Sequence, residues 1–249
     1  QEGGVATAEL LTGAVNPSGK LAYAIPKKDT DTMVTISQEA LDAQDQETEG
    51  AAYTDADYEK EIKMGRYSSI EEAKEGMGEN RTNHTADYSE GIYTGYRWYD
   101  ENDIEPHYDF GNGLSYTTFE YSDLTVEEST EGSDTVGYDV TFTVTNTGNT
   151  AGTETAQVYL GEAEVPESVQ MAKYQLCGYE RIEDLQPEES RTVTIHVDER
   201  ALSYWNTDGE LQEREDGTKD KWTVAEGERT VYVGAASDNL ILQEDINVQ

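Results

Sequence analysis

Val136-Gly137-Tyr138-Asp139-Val140-Thr141-Phe142-Thr143-Val144 alternates between apolar side chains and small or polar ones. A period of two places Val136, Tyr138, Val140, Phe142 and Val144 on one face of a strand and the intervening residues on the other. Asn146-Thr147-Gly148-Asn149 then reads as a turn.

Working outward, the same short period recurs downstream. Residues 155–160, 174–181, 191–197 and 229–234 read as further strands, separated by turn signals such as Pro187-Glu188-Glu189. Many short strands with no helical stretch between them predict a β-sandwich of the immunoglobulin or fibronectin type III kind over 119–249. Trp205 and Trp222 are expected at its edges or in its core, with sugar stacking as the less favoured role.

Upstream, residues 88–118 are rich in aromatics and glycine. They include Tyr88-Ser89-Glu90-Gly91-Ile92-Tyr93-Thr94-Gly95-Tyr96-Arg97-Trp98-Tyr99-Asp100 and Phe110-Gly111-Asn112-Gly113-Leu114-Ser115-Tyr116. So many rings are costly to leave in water, which predicts a buried seam between domains. Arg97 is expected to pair with a carboxylate inside it.

Residues 1–26 begin with a short helical stretch, Val5-Ala6-Thr7-Ala8-Glu9-Leu10-Leu11, with Gly13 as its C-cap. Asn16-Pro17-Ser18-Gly19 is a turn, and Leu21-Ala22-Tyr23-Ala24-Ile25 alternates like a strand stopped by Pro26. Helix, turn and strand in this order suit the last unit of an α/β sheet. The opening run therefore reads as the later part of something larger. Between these blocks, residues 27–87 are acidic and poor in large aliphatics. They read as a surface insertion, partly mobile, with short helices beginning near Ser37 and Ser69. Tyr53, Tyr58, Ile62, Met64 and Tyr67 suggest that part of it packs on a larger body.

The 249 residues carry 53 acids against 17 bases, a net charge of -36, with 35% apolar residues and 17 tyrosines. Such a charge repels phosphate backbones and anionic membranes, so neither nucleic acid nor membrane is an expected partner. No run of about 18 apolar residues is present. One cysteine, Cys177, excludes an internal disulfide and reads as a small packed residue. His84, His107 and His196 lack metal-ligand spacing. No metal site or cofactor is expected.

Several chemical patterns fail on inspection. Asp55-Ala56-Asp57-Tyr58-Glu59 starts like a calcium loop but has Lys60 where the turn needs Gly and Arg66 where a bidentate Glu is needed. Gly76-Met77-Gly78 lacks the third glycine of a dinucleotide fingerprint. The two adjacent sequons at Asn80 and Asn83 arise easily by chance in a polar stretch. Glycoside hydrolysis needs two carboxylates about 5–9.5 Å apart, and among 53 acids no pair stands out. No catalytic residue is assigned.

Four blocks together are more specific. They are Gln1-Glu2-Gly3-Gly4 through Asn16-Pro17-Ser18-Gly19-Lys20-Leu21 and Pro26; Tyr88 through Asp100; Phe110 through Phe119; and the sandwich runs Val144-Thr145-Asn146-Thr147-Gly148, Gln157-Val158-Tyr159, Leu176-Cys177-Gly178-Tyr179-Glu180-Arg181 and Leu202-Ser203-Tyr204-Trp205. In this order they resemble the C-terminal part of glycoside hydrolase family 3 enzymes, the β-glucosidase and β-xylosidase group. Asn112 departs from the aromatic or histidine that the family often has between these glycines, and the resemblance does not explain 27–87.

The resemblance implies a mainly β fold: a fibronectin type III-like sandwich preceded by the C-terminal remnant of an α/β sandwich domain. Composition and patterning divide the chain at 1–26, 27–87, 88–118 and 119–249. The resemblance also implies a parent enzyme in which a (β/α)8 barrel supplies an aspartate nucleophile and the α/β domain a glutamate acid/base, both outside these residues. The implied partners are those barrel and α/β segments, in cis or as a separate chain, and the β-linked glycoside substrate of the intact enzyme. The expected role is structural support without activity of its own. A free-standing carbohydrate-binding or adhesion module is the alternative. Glu90, Tyr93, Arg97 and Trp98 are the candidate substrate-binding residues at the rim of the parent's sugar pocket, with a structural role favoured for them. The sequence leaves sugar specificity open, and is compatible with both a bacterial cytoplasm and secretion.

Overall fold

A computed structural model describes residues 3–28, 31–32, 49–63, 67–77, 80–82, 91–131, 134–214 and 217–249. The chain divides into two units, 34–89 and the remainder.

The chain opens with helix α1 (Gly3–Thr12), which Gly13 ends at φ 73, as the C-cap reading expects. Its apolar residues are not buried. Leu21–Ile25 does not form the expected strand. It has one bridge, Ile25 to Tyr108, flanked by Leu21 N–H donating to Asn112 O and Gly111 N–H to Leu21 O, both at 2.8 Å. Its neighbour is the glycine-rich segment 107–112, which turns at Gly111 (φ 85) and so cannot keep a ladder in register.

The 34–89 unit pairs β1 (Glu49–Ala52) with β2 (Asn80–Thr82) and packs α2 (Asp55–Lys63) with α3 (Ile70–Met77). The helix read from Ser69 is α3. Ser69 Oγ accepts Glu72 N–H at 3.2 Å, while the Glu72 carboxylate accepts Ser68 N–H at 2.9 Å. These bonds satisfy donors that a helix start leaves free. Tyr58 and Ala73 are buried in this unit, and the Tyr53 and Tyr58 rings lie 5.7 Å apart. The helix expected near Ser37 lies outside the described residues.

In the larger unit, α4 (Tyr96–Glu101) precedes the sandwich. One sheet has the order β3-β4-β7, from β3 (Phe119–Glu131), β4 (Asp134–Asn146) and β7 (Ser190–Asp198). A one-turn helix, α5 (Glu199–Leu202), follows β7 and is capped by the Asp198 carboxylate. Two small ladders pair β8 (Ser203–Trp205) with β11 (Trp222–Val224) and β9 (Gln212–Glu213) with β10 (Lys219–Asp220). The second large sheet has the order β13-β12-β5-β6, from β5 (Gly152–Gly161), β6 (Tyr174–Leu185), β12 (Gly227–Ala236) and β13 (Asn239–Val248). All pairings in both large sheets are antiparallel.

The alternation in β4 holds. Tyr138, Val140, Phe142 and Val144 face Val158, Leu160, Ile182, Val231 and Val233 in one core shared by both sheets. Each fully buried side chain of this size contributes roughly 1.5–3 kcal/mol. The opposite face of β4 carries hydroxyl pairs to β7: Thr141 with Thr194 at 2.8 Å, Thr143 with Thr192 at 3.0 Å and Thr145 with Ser190 at 2.7 Å. Trp205 and Trp222 meet edge-on at 5.4 Å, and the Arg200 guanidinium covers one face of Trp222 at 3.4 Å.

Candidate functional site: the fastening of residues 1–26 and 91–118 to the sandwich

The Asn-Pro-Ser-Gly-Lys turn works as a fastener, and each polar side chain in it has its own tie. Asn16 Nδ2 donates to Ala151 O at 2.9 Å, while its Oδ1 accepts Tyr116 N–H at 2.7 Å and Ser115 Oγ–H at 3.1 Å. Ser18 Oγ accepts from the Arg181 guanidinium at 3.2 Å. Lys20 Nζ pairs with the buried Glu154 carboxylate at 2.8 Å and reaches Ala235 O at 3.3 Å. Tyr116 Oη–H donates to Leu10 O at 2.6 Å, tying α1 back to the linker.

The aromatic block is the second fastening. Gly95 has φ 61, which turns the chain into α4 and aims Tyr96 at the outer face of β5. The Tyr96 ring stacks on Phe110 at 5.3 Å, meets Tyr159 edge-on at 5.9 Å, and its hydroxyl accepts Leu176 N–H at 2.9 Å. Tyr159 Oη–H donates to Gln157 Oε1, and Gln157 Nε2 donates to Ala235 O at 3.2 Å. Gly111 lies against this group. A Cβ there would stand 2.9 Å from Ala236 Cα. The expected seam is thus buried at Tyr96 and Tyr99 but open at Tyr108 and Tyr116.

The candidate rim residues fall as follows. Glu90 lies outside the described residues. Tyr93 is half-buried with its hydroxyl 3.5 Å from Met171 O; burial pushes its ionisation up, helped by Glu101 and Glu162. Trp98 Nε1–H donates to Asp31 O at 3.2 Å. Arg97 does not pair with a carboxylate among the described residues. Its Nη1 donates to Ile92 O at 3.4 Å, its guanidinium lies 5.8 Å from the Tyr96 ring centroid, and its buried Nε–H has no partner among the described residues. Tyr93, Arg97 and Trp98 therefore share one short block, but each is committed to a different neighbour.

Spacing gave no sign that the charges of Asp100, Asp109 and Asp238 act on one another at this joint. Burial pushes Asp109 up to about 6, joined by the charge of Asp238 and then by those of Asp100 and Glu105. Burial likewise pushes Asp100 up to about 6; Lys173 opposes this and Asp238 adds to it. Asp238 borders a cleft of about 280 Å³ shared with Lys20 and Gly111–Gly113. A second cleft of about 470 Å³ is bordered by Lys173, Tyr174, Arg229 and Tyr232. Arg229 is spent internally, on Gly161 O at 2.7 Å and Leu202 O at 3.1 Å. Among the described residues, no three His, Cys, Asp or Glu side chains are grouped to hold a metal ion, and no helix is long and apolar enough to cross a membrane.

Two family models match the chain. The glycosyl hydrolase family 3 C-terminal domain covers residues 1–116 and the fibronectin type III-like domain covers 154–237. A thermostable beta-glucosidase B from Acetivibrio thermocellus is 33% identical over 98% of this chain and 25% of its own length. A probable beta-glucosidase D from Aspergillus niger is 31% identical over the whole chain and 27% of its own length. Among solved structures, beta-glucosidase 3B from Thermotoga neapolitana, in complex with alpha-D-glucose, superposes with a TM-score of 0.68 at 31% identity, over the whole chain and 27% of that structure. The chain thus spans about a quarter of the length of the relatives it matches. It is mainly β, a fibronectin type III-like sandwich preceded by the end of an α/β domain. It belongs to glycosyl hydrolase family 3, of which it is a C-terminal part.

Proposed function

We propose that this chain is the C-terminal support of a β-glucosidase-like enzyme, and that the intact enzyme performs retaining hydrolysis of terminal β-D-glucosides or β-xylosides. Residues 1–26 complete an α/β domain whose remainder, together with a (β/α)8 barrel, lies elsewhere in cis or in a companion chain. The sandwich of 119–249 holds that domain through the 88–118 linker, with 27–87 as an acidic insertion. The nucleophile and the acid/base lie in the other segments, so this chain alone does not turn over substrate.

One observation carries the reading. α1 is fastened firmly to the sandwich by the Asn16–Lys20 turn, yet it leaves Leu11 81% exposed, with Leu114 at 79% beside the same linker. A helix held so tightly but unburied on its apolar side suits a piece that receives further layers of an α/β domain. The rigid fastening then transmits the position of the sandwich to that domain. Tyr93, Arg97 and Trp98 brace the linker in this reading, and Glu90 joins them by sequence alone.

The purified chain is expected to be inert toward aryl β-D-glucosides and β-xylosides, and activity is expected when a companion chain carrying the barrel is added. Turnover by the chain alone would overturn the reading. For the brace, Trp98→Ala in the intact enzyme is expected to lower stability while leaving kcat and KM unchanged. A raised KM would instead place Trp98 at the sugar.

A further inference from the structure

The outer face of the β13-β12-β5-β6 sheet is roofed in one place and open in another. Tyr159 and Gly161 share that face of β5, since alternate residues of a strand point the same way. Tyr159 is fully buried against Tyr96. Gly161, two residues on, instead lines the cleft of about 470 Å³. It pairs with Tyr174 of β6, and the Tyr174 and Tyr232 rings meet edge-on at 5.2 Å. Both rings are half-buried. A Cβ on Gly161 would stand 3.3 Å from the Tyr232 ring and 3.2 Å from Thr230 O, so a side chain here would fill the floor of the cleft. Arg229 fixes that floor, with Nε and Nη2 donating to Gly161 O at 3.0 and 2.7 Å.

The rim decides what can enter. Glu162 beyond β5, Glu228 on β12 and Asp245 on β13 bring three carboxylates, and Lys173 and Arg229 bring two cations. Asp245 Oδ1 accepts Thr230 Oγ1–H at 2.7 Å, and Lys173 reaches Asp103 at 3.3 Å. Donors and acceptors are thus interleaved, with little excess charge to select an ion. Rings in edge-on contact leave no gap in which a cation could be caged between their faces, and Lys173 and Arg229 oppose one. The carboxylates in turn oppose an anion. A sugar suits both features: its C–H face lies on an aromatic ring, and its hydroxyls donate to carboxylates and accept from an ammonium. The volume is in the range of small-molecule clefts.

We propose that this cleft binds a neutral oligosaccharide, with a pyranose ring against the Tyr174–Tyr232 pair and its hydroxyls bonded to Glu162, Glu228 and Lys173. The sandwich then holds sugar as well as supporting its neighbours. The cleft as a sugar site follows from its own lining; only the choice of a β-linked glucose chain as first probe rests on the glycosidase reading.

Titration of the full chain with cellotetraose, and separately with the α-linked maltotetraose, tests it by NMR shifts. Saturable shifts are expected at the Gly161, Tyr174 and Tyr232 amides, with a Kd on the order of 1 mM. Tyr232→Leu keeps the apolar bulk but loses the ring, and is expected to weaken binding roughly tenfold. Tyr232→Phe restores the ring and is expected to recover most of that loss. Glu228→Gln is an exposed change that leaves the fold untouched, and is expected to weaken binding about fivefold. Binding of the α-linked tetramer alone would support the cleft and count against the β-glucoside reading. No saturable shift with either tetramer would overturn the site. So would shifts confined to Trp205 and Trp222, or undiminished binding in both Tyr232→Leu and Glu228→Gln.

Discussion

Asn146 Oδ1 accepts a hydrogen bond from Thr117 Oγ1 at 2.5 Å, joining the last residue of β4 to the end of the linker 29 positions earlier. The same side chain accepts Gly148 N–H at 3.0 Å and donates to Thr150 O and Leu185 O, each at 2.8 Å. One fully buried amide thus closes its own turn, holds the end of β6 and receives the linker. Truncation to Ala would remove the partner of four polar groups, the bonds to Thr117 and Leu185 being buried. Asn146→Ala is expected to lower unfolding free energy by about 3 kcal/mol, read by urea titration. Asn146→Asp, which cannot donate to the two carbonyls, is expected to be nearly as damaging. A loss well under about 1 kcal/mol in both would mean that the hub is dispensable.

The Lys20–Glu154 pair is mostly shielded from water, so removing one charge strands the other. Lys20→Met is expected to cost about 2–4 kcal/mol. Adding Glu154→Gln should recover part of that loss, because the stranded carboxylate disappears. A double-mutant cycle by denaturant melts measures the coupling, and strictly additive losses would show that the pair does not act as one.

Gly111 combines a left-handed backbone with a close approach to Ala236 and Gln157. Gly111→Ala is expected to cost at least about 2 kcal/mol, from strain and from displacement of the linker. A neutral result in a thermal melt would mean that the linker yields freely. Asn112 beside it contributes chiefly through its backbone, accepting Leu21 N–H and donating to Asp109 O. That gives a physical reason for the departure from the family pattern at this position.

Cys177 is partly buried against the core, its Sγ 3.3 Å from Val158 O, and burial pushes its thiol up to about 12. Labelling by a thiol reagent at mildly alkaline pH is expected to be more than about a thousandfold slower in the folded chain than in urea. Rapid labelling of the native form would contradict the burial.

The sandwich was legible because its signal is local. The period of β4 lies within nine consecutive residues, and strand identity follows from it alone. Leu21–Ile25 shows the same alternation and is not a strand, because its neighbour is an irregular glycine segment that no local pattern announces. Arg97 was read as a residue needing a partner, and among the described residues its hydrogen bond goes to the Ile92 carbonyl, a backbone group that no side-chain pattern announces. Asp100, Asp109 and Asp238 act on one another from up to 138 positions apart, and in a chain with 53 acids nothing in the sequence separates them from the rest.

The exposed side of α1 has a colloidal consequence. A lone copy cannot hide Leu11 and Leu114, so it meets other copies with an adhesive patch. What holds copies apart is the excess of 36 negative charges, a long-range repulsion that salt shortens to about 10 Å at 0.1 M. The same acidity therefore acts as a repulsive coat over an otherwise adhesive surface, and that coat thins as ionic strength rises.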